Sequence, residues 1–170
     1  TDIHAALVTV QGIGVDVFGI NCSIGPDLMV KTVEALSRFS KLPISVVPNA
    51  GLPVSEEGRT VFKFTPEDLA RYLEEFVEKY GVSVVGGCCG TTPAHIFAIS
   101  ERLAGRKPAP RTPEEGLYVS GPQQAVLLDS SQGLIRIGER LNVRGSKKVR
   151  DAVEGGGPVD HDALEEVVNE

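Results

Sequence analysis

Tryptophan is absent from this 170-residue chain, and aromatic residues make up only 5% of it. Nowhere do they interleave with a basic patch, and the net charge is −6. The signature of a nucleic-acid-binding surface is missing, so no nucleic-acid partner is expected. No apolar run approaches the roughly 20 residues that span a bilayer, so no membrane segment is expected either. The start also lacks a charged stretch followed by an apolar one, the mark of a secretion signal. The expected setting is cytoplasmic. With 41% hydrophobic residues, the chain has enough apolar material for a globular core.

Cysteine is scarce, and its placement is informative. Cys22, Cys88 and Cys89 are three in number, which cannot complete a set of disulfides. The adjacent pair is badly placed to bridge with itself. Three uses remain open: buried reduced thiols, a metal site, or a nucleophile.

The pattern of apolar residues predicts βα units and a parallel sheet, an α/β fold. Residues 2–13 have helical spacing, and 15–20 read as a buried strand. Pro26 opens a helix to about Ser40, with Leu28, Met29, Val33, Leu36 and Phe39 on one face. Ile44 to Val47 is the next strand, followed by a loop from Asn49 to about Phe64. Thr65 is the predicted N-cap of a helix to Tyr80, with Asp68 at the third helical position. Residues 82–85 form a third strand, and Thr92 and Pro93 start a helix to about Leu103. Residues 105–133 are rich in proline and glycine and read as a linker with one short strand near 126–128. Residues 134–137 read as a new strand, 146–153 as a helix, and 160–170 as a helix again. The chain opens in a helix with no strand before it and closes inside one, which predicts a slice of a larger polypeptide.

Each cysteine falls just after a predicted strand, Cys22 after 15–20 and the Cys88–Cys89 pair after 82–85. In parallel α/β folds and barrels those strand ends gather on one face, where sites form. Asn49 follows the strand between them and belongs to the same rim. A Cys₃ set suits Zn²⁺ with a fourth position open to a substrate. Gly86, Gly87 and Gly90 give the backbone freedom for adjacent cysteines to turn toward one ion. A substrate thiol entering the open position would lose its proton, so no protein nucleophile is required. Spacing alone leaves the metal site and buried structural thiols both open.

Three segments carry a family resemblance: 19–26 (GINCSIGP), 48–53 (PNAGLP) and 86–93 (GGCCGTTP). They resemble the signature segments of zinc-dependent homocysteine methyltransferases, in order and interval. The resemblance implies a (β/α)₈ TIM barrel whose zinc ligands are Cys22, Cys88 and Cys89. A second segment, 137–146 (IGERLNVRGS), is similar to the opening of the folate barrel in the cobalamin-dependent methionine synthases. That branch places a homocysteine barrel directly before a folate barrel. The implied organisation is 1–104 as the C-terminal part of the first barrel, 105–133 as the linker, and 134–170 as the first βα unit of the second. Glu139 and Asn142 would then line the pterin site, although Leu141 departs from the smaller polar residue often found there.

The implied reaction moves a methyl group from methylcobalamin to homocysteine, giving methionine, with the cobalamin remethylated from methyltetrahydrofolate. The cobalamin would be bound by a module of the same polypeptide outside these residues. The slice alone is expected to be inactive. Two other readings stand beside this one: a relative using betaine or S-methylmethionine, and a structural-zinc domain without catalysis. Asn49 is read either as a substrate-site residue beside the metal or as a turn-former before Gly51. His95 reads as a helix-packing residue rather than a ligand, and Asp16 as a loop cap.

Overall fold

The computed structural model describes residues 2–129, 131, 133, 147–154, 160–162 and 164. The chain divides into two compact units, Thr1–Asp129 and Ser130–Glu170. In the first, three strands form a parallel sheet in the order β1 (Phe18–Asn21), β2 (Ile44–Val47), β5 (Val84–Val85). Between the first two runs α2 (Pro26–Phe39). Between β2 and β5 come a small antiparallel hairpin, β3 (Val54–Glu56) with β4 (Arg59–Val61), and then α3 (Pro66–Tyr80). Helices α1 (Ile3–Gly12) and α4 (Pro93–Leu103) complete the βα pattern. The result is a mixed α/β unit with a parallel sheet, as the periodicity predicts.

Alternation along β2 shows how the sheet is covered. Ile44 and Val46 are fully buried, while Ser45 and Val47 on the opposite face are only half-buried. The buried pair packs into a core with Met29, Val33 and Leu36 of α2 and Leu69, Leu73 and Phe76 of α3. These helix residues recur at three- and four-residue spacing, so each helix lays one apolar stripe on the sheet. Truncating the fully buried Phe76 to alanine would cost about 3–5 kcal/mol.

Local chemistry sets the helix ends. The Asp2 carboxylate accepts from the His4 and Ala5 amides at 3.0 and 3.2 Å and starts α1. Thr65 accepts from the Asp68 amide at 3.1 Å, and its hydroxyl donates to the Asp68 carboxylate at 2.8 Å. Gly81 ends α3 at φ 67°, the left-handed conformation that glycine adopts without strain. Helix α4 is fastened to α3 by buried Ile99 and by Glu74, which pairs with Arg102 at 2.6 Å and Arg106 at 2.8 Å.

Residues 105–129, rich in proline and glycine, are tied to the first unit by specific bonds. The Ala109 amide donates to the Val77 carbonyl at 2.9 Å and the Glu114 amide to the Arg38 carbonyl at 2.8 Å. The Arg111 guanidinium donates to the carbonyls of Ser40 and Leu42, both at 2.7 Å. A hairpin follows, β6 (Tyr118–Ser120) with β7 (Ala125–Leu127), so the strand expected near 126–128 has a partner that was not foreseen. Its Tyr118 packs edge-on against His4, which stacks on Phe39. In the second unit α5 (Lys147–Glu154) carries the buried Val149, and the Asp160 amide donates to the Ala152 carbonyl at 3.1 Å. The strand expected at 134–137, and with it Glu139 and Asn142, lies outside the described residues, as does most of 160–170.

Candidate metal centre

The parallel sheet brings three separate chain segments to one end. The Cys22 amide extends the β1–β2 ladder by donating to the Val47 carbonyl at 3.0 Å. There the chain turns sharply: Cys22 and Ser23 both have positive φ, 63° and 64°. Neither residue adopts that conformation without cost: each such position costs about 1–3 kcal/mol and persists only where its surroundings enforce it. Enforcement comes from the Ile24 amide, which donates back to the Cys22 carbonyl at 2.8 Å, and from the Asn49 amide, which donates to Ile24 at 3.1 Å.

The Cys88–Cys89 turn is held at every backbone polar group. The Cys88 amide donates to the Pro48 carbonyl at 2.8 Å, and the Cys88 carbonyl accepts from the Thr91 hydroxyl at 2.7 Å. The Cys89 amide donates to the Asn49 side-chain oxygen at 3.1 Å, and its carbonyl accepts from the Ala50 amide at 2.9 Å. Gly90 has φ 78°, and a Cβ there would collide with the Phe62 side chain. The loop after β2 therefore serves as the wall against which the cysteine pair is shaped.

This architecture gathers the three sulfurs. Cys22 Sγ lies 3.5 Å from Cys89 Sγ, Cys88 Sγ lies 3.9 Å from Cys89 Sγ, and all three fall within 4.8 Å of one another. Tetrahedral thiolates on one zinc, at about 2.3 Å each, stand about 3.8 Å apart. The Cys22–Cys89 and Cys88–Cys89 separations lie close to that spacing, and the soft donor set suits zinc. Among the described residues the cluster contains these three groups alone. Cys22 and Cys88 are half-buried and Cys89 is exposed, so the trio is open on one side.

The electrostatics of the trio set its sulfurs against one another. The Ser23 amide, with help from the neighbouring Cys89 and Cys88 thiols and the Asn49 side chain, draws the Cys22 thiol below its ordinary value. Cys89 moves the other way and is pushed up to about 11, chiefly by its hydrogen bond with Cys22, then by Cys88. Once one sulfur ionises, the next is held back. A divalent cation at their centre would relieve that opposition by stabilising thiolates together.

Of the residues singled out in the sequence, Cys22, Cys88, Cys89 and Asn49 come together here. Asn49 is buried, 3% exposed, with its side-chain oxygen turned to the Cys89 amide. His95 stays out of the cluster, because both ring nitrogens face protein groups: the Thr92 amide at 3.2 Å and the Phe64 carbonyl at 3.0 Å. Asp16 is exposed. Reading the sequence alone missed Thr91 and Ser23, whose contributions depend on backbone geometry rather than on residue type.

The sequence profile of the family Homocysteine S-methyltransferase matches residues 1–103. The chain belongs to that family. Similar proteins include the methionine synthase of Mycobacterium tuberculosis (strain ATCC 25618 / H37Rv), 40% identical over 153 residues. The methionine synthase of Mycobacterium leprae (strain TN) is 39% identical over 158 residues. Each alignment covers 90% of this chain and 13% of the relative, so the chain spans only a small part of the proteins it matches. The family match takes in all three cysteines and Asn49. Among the described residues no helix is long and apolar enough to cross a membrane.

Proposed function

We propose that this chain contributes the homocysteine-activating centre of a cobalamin-dependent methionine synthase, with Cys22, Cys88 and Cys89 as the ligands of one Zn²⁺. The observation that carries the reading is the trio of sulfurs at 3.5–3.9 Å along its two closest edges, open to solvent on one side. A zinc ion held there would favour the thiolate form of an incoming sulfur compound over its thiol at neutral pH. Similarity to methionine synthases over 90% of the chain favours homocysteine as that compound.

The protein's own part is to orient and to shield. The turn at Cys22–Ser23 and the bonds on Cys88–Cys89 fix three thiols before a metal arrives, so little ordering is left for the loading step. Asn49 borders the trio and is assigned a place beside the incoming homocysteine. Methylcobalamin, held by a separate module of the polypeptide, would supply the methyl group to the homocysteine sulfur, and methyltetrahydrofolate would supply the methyl group that restores the donor. In this reading 1–104 closes a (β/α)₈ barrel, 105–133 connects, and 134–170 opens the folate barrel, with Glu139 and Asn142 toward the pterin.

X-ray absorption at the zinc edge of the intact protein tests the assignment. Three sulfur neighbours are expected without homocysteine and four with it. Cys22→Ala, Cys88→Ala and Cys89→Ala should each abolish methyl transfer to homocysteine and spare methyl transfer from folate to cobalamin. A sulfur count below three in zinc-replete protein, or equal loss of both half-reactions, would overturn it.

A further inference from the structure

His95 is an internal histidine, 7% exposed, with both ring nitrogens committed. Nδ1 accepts from the Thr92 amide at 3.2 Å, and the Thr92 hydroxyl lies 2.9 Å from the same nitrogen. With Nδ1 as acceptor, the ring proton resides on Nε2, which donates to the Phe64 carbonyl at 3.0 Å. One imidazole thus joins the first turn of α4 to the far end of the loop that follows β2.

Both ends of that bridge lead to Cys89. Backward from Thr92, the chain passes through Thr91 and Gly90, which is pressed against Phe62, and reaches Cys89. From Phe64 the route is by hydrogen bonds: its amide donates to the Ala50 carbonyl at 3.0 Å, and the Ala50 amide donates to the Cys89 carbonyl at 2.9 Å. Asn49, next to Ala50, accepts from the Cys89 amide at 3.1 Å. The circuit is closed, and among the described residues His95 supplies the side-chain hydrogen bond from α4 to the loop.

We propose that His95 is a positioning residue for the cysteine trio, stapling the Cys88–Cys89 turn to the Asn49–Ala50 segment and so setting where Cys89 Sγ stands relative to Cys22. The proposal rests on the reading of the trio as a zinc centre. His95 itself does not touch the metal. A histidine that merely filled space could be replaced by leucine at little cost to the site. This one supplies a donor and an acceptor at once, which leucine cannot do and glutamine can, because an amide carries both groups at its end.

The test compares His95→Leu and His95→Gln in the intact protein. Zinc affinity is read by chelator competition, sulfur count by X-ray absorption, and amide exchange across residues 86–92 in the zinc-free state by mass spectrometry. His95→Leu should weaken zinc binding about 10–100-fold, the usual range for residues that orient ligands. It should also lower the sulfur count below three and speed exchange of the Cys89 amide. His95→Gln should restore all three readouts toward wild type. If the leucine variant does not accumulate, His95→Asn replaces it, since it keeps an acceptor near Thr92 but cannot reach Phe64, and the same weakening is expected. Unchanged zinc affinity and sulfur count in a folded variant would overturn the proposal, as would a loss that glutamine fails to rescue. A wild type that binds no zinc would sink the zinc reading instead. The exchange measurement then still decides the staple, with unchanged exchange in His95→Leu counting against it.

Discussion

Cys22 and Ser23 spend backbone strain to aim a sulfur, and the neighbouring residues hold that strain in place. Asn49 is the clearest case, because its backbone amide anchors Ile24 while its side-chain oxygen anchors Cys89. Asn49→Ala should therefore cost about 1–3 kcal/mol, the penalty for leaving a shielded amide without its acceptor. The urea unfolding midpoint reads that loss, and zinc affinity should fall with it. Gly90→Ala should be at least as damaging, since it adds a Cβ into Phe62 at a φ of 78°. Unaltered zinc binding in a folded Gly90→Ala protein would show that the turn tolerates what its geometry forbids. The residue types of this site were legible in the sequence: three cysteines and an asparagine after strands, flanked by glycines. Their tuning was not. Nothing in the letters Cys-Ser announces two consecutive left-handed residues, and nothing in Thr91 announces a hydroxyl turned onto the Cys88 carbonyl.

At the scale of elements, legibility followed the strength of the local signal. Helix α3 was readable end to end because a cap, a proline and a glycine mark its limits and one stripe of large apolar residues fills its length. Strand β2 lies where the sequence placed it, at Ile44–Val47, whereas β1 starts at Phe18 rather than at 15 and β5 holds only Val84 and Val85. A run of apolar residues says that something is buried without saying which of them join a ladder. The β3–β4 hairpin escaped notice because it is mostly exposed and lacks alternation, and its turn places Glu57 at a positive φ of 50° where asparagine or glycine is the usual cue. Where the signal is strong, the energetics are also readable. Thr65→Ala removes an acceptor from the Asp68 amide and should cost about 1 kcal/mol, seen as a modest fall in the unfolding midpoint. A change of 3 kcal/mol or more would mean that Thr65 supports more than its helix.

Across the first unit as a whole, the two ends of the parallel strands have separate duties. The cysteines and Asn49 follow the strands, whereas Ser40, Leu42 and Gly81 precede them, and residues 105–114 are fastened to that second end. The composition of that stretch conceals this, because prolines and glycines in number read as a linker, and the partners of Ala109, Arg111 and Glu114 show where it is held. The guanidinium caps the Ser40 and Leu42 carbonyls, and Gly81 must lack a Cβ because one would stand 2.5 Å from both the Ala109 carbonyl and the Arg111 side chain. Arg111→Met keeps most of the aliphatic packing and removes both bonds to a partly buried charged group, so about 1.5–3 kcal/mol of stability should go with them. Because that anchorage lies at the opposite end of the sheet from the sulfurs, zinc affinity of the folded Arg111→Met protein should match wild type while its urea midpoint drops. Asn49→Ala should lower both. If Arg111→Met weakened zinc binding as much as Asn49→Ala does, the two ends would be coupled through the sheet, and the division of labour argued here from strand direction would fail.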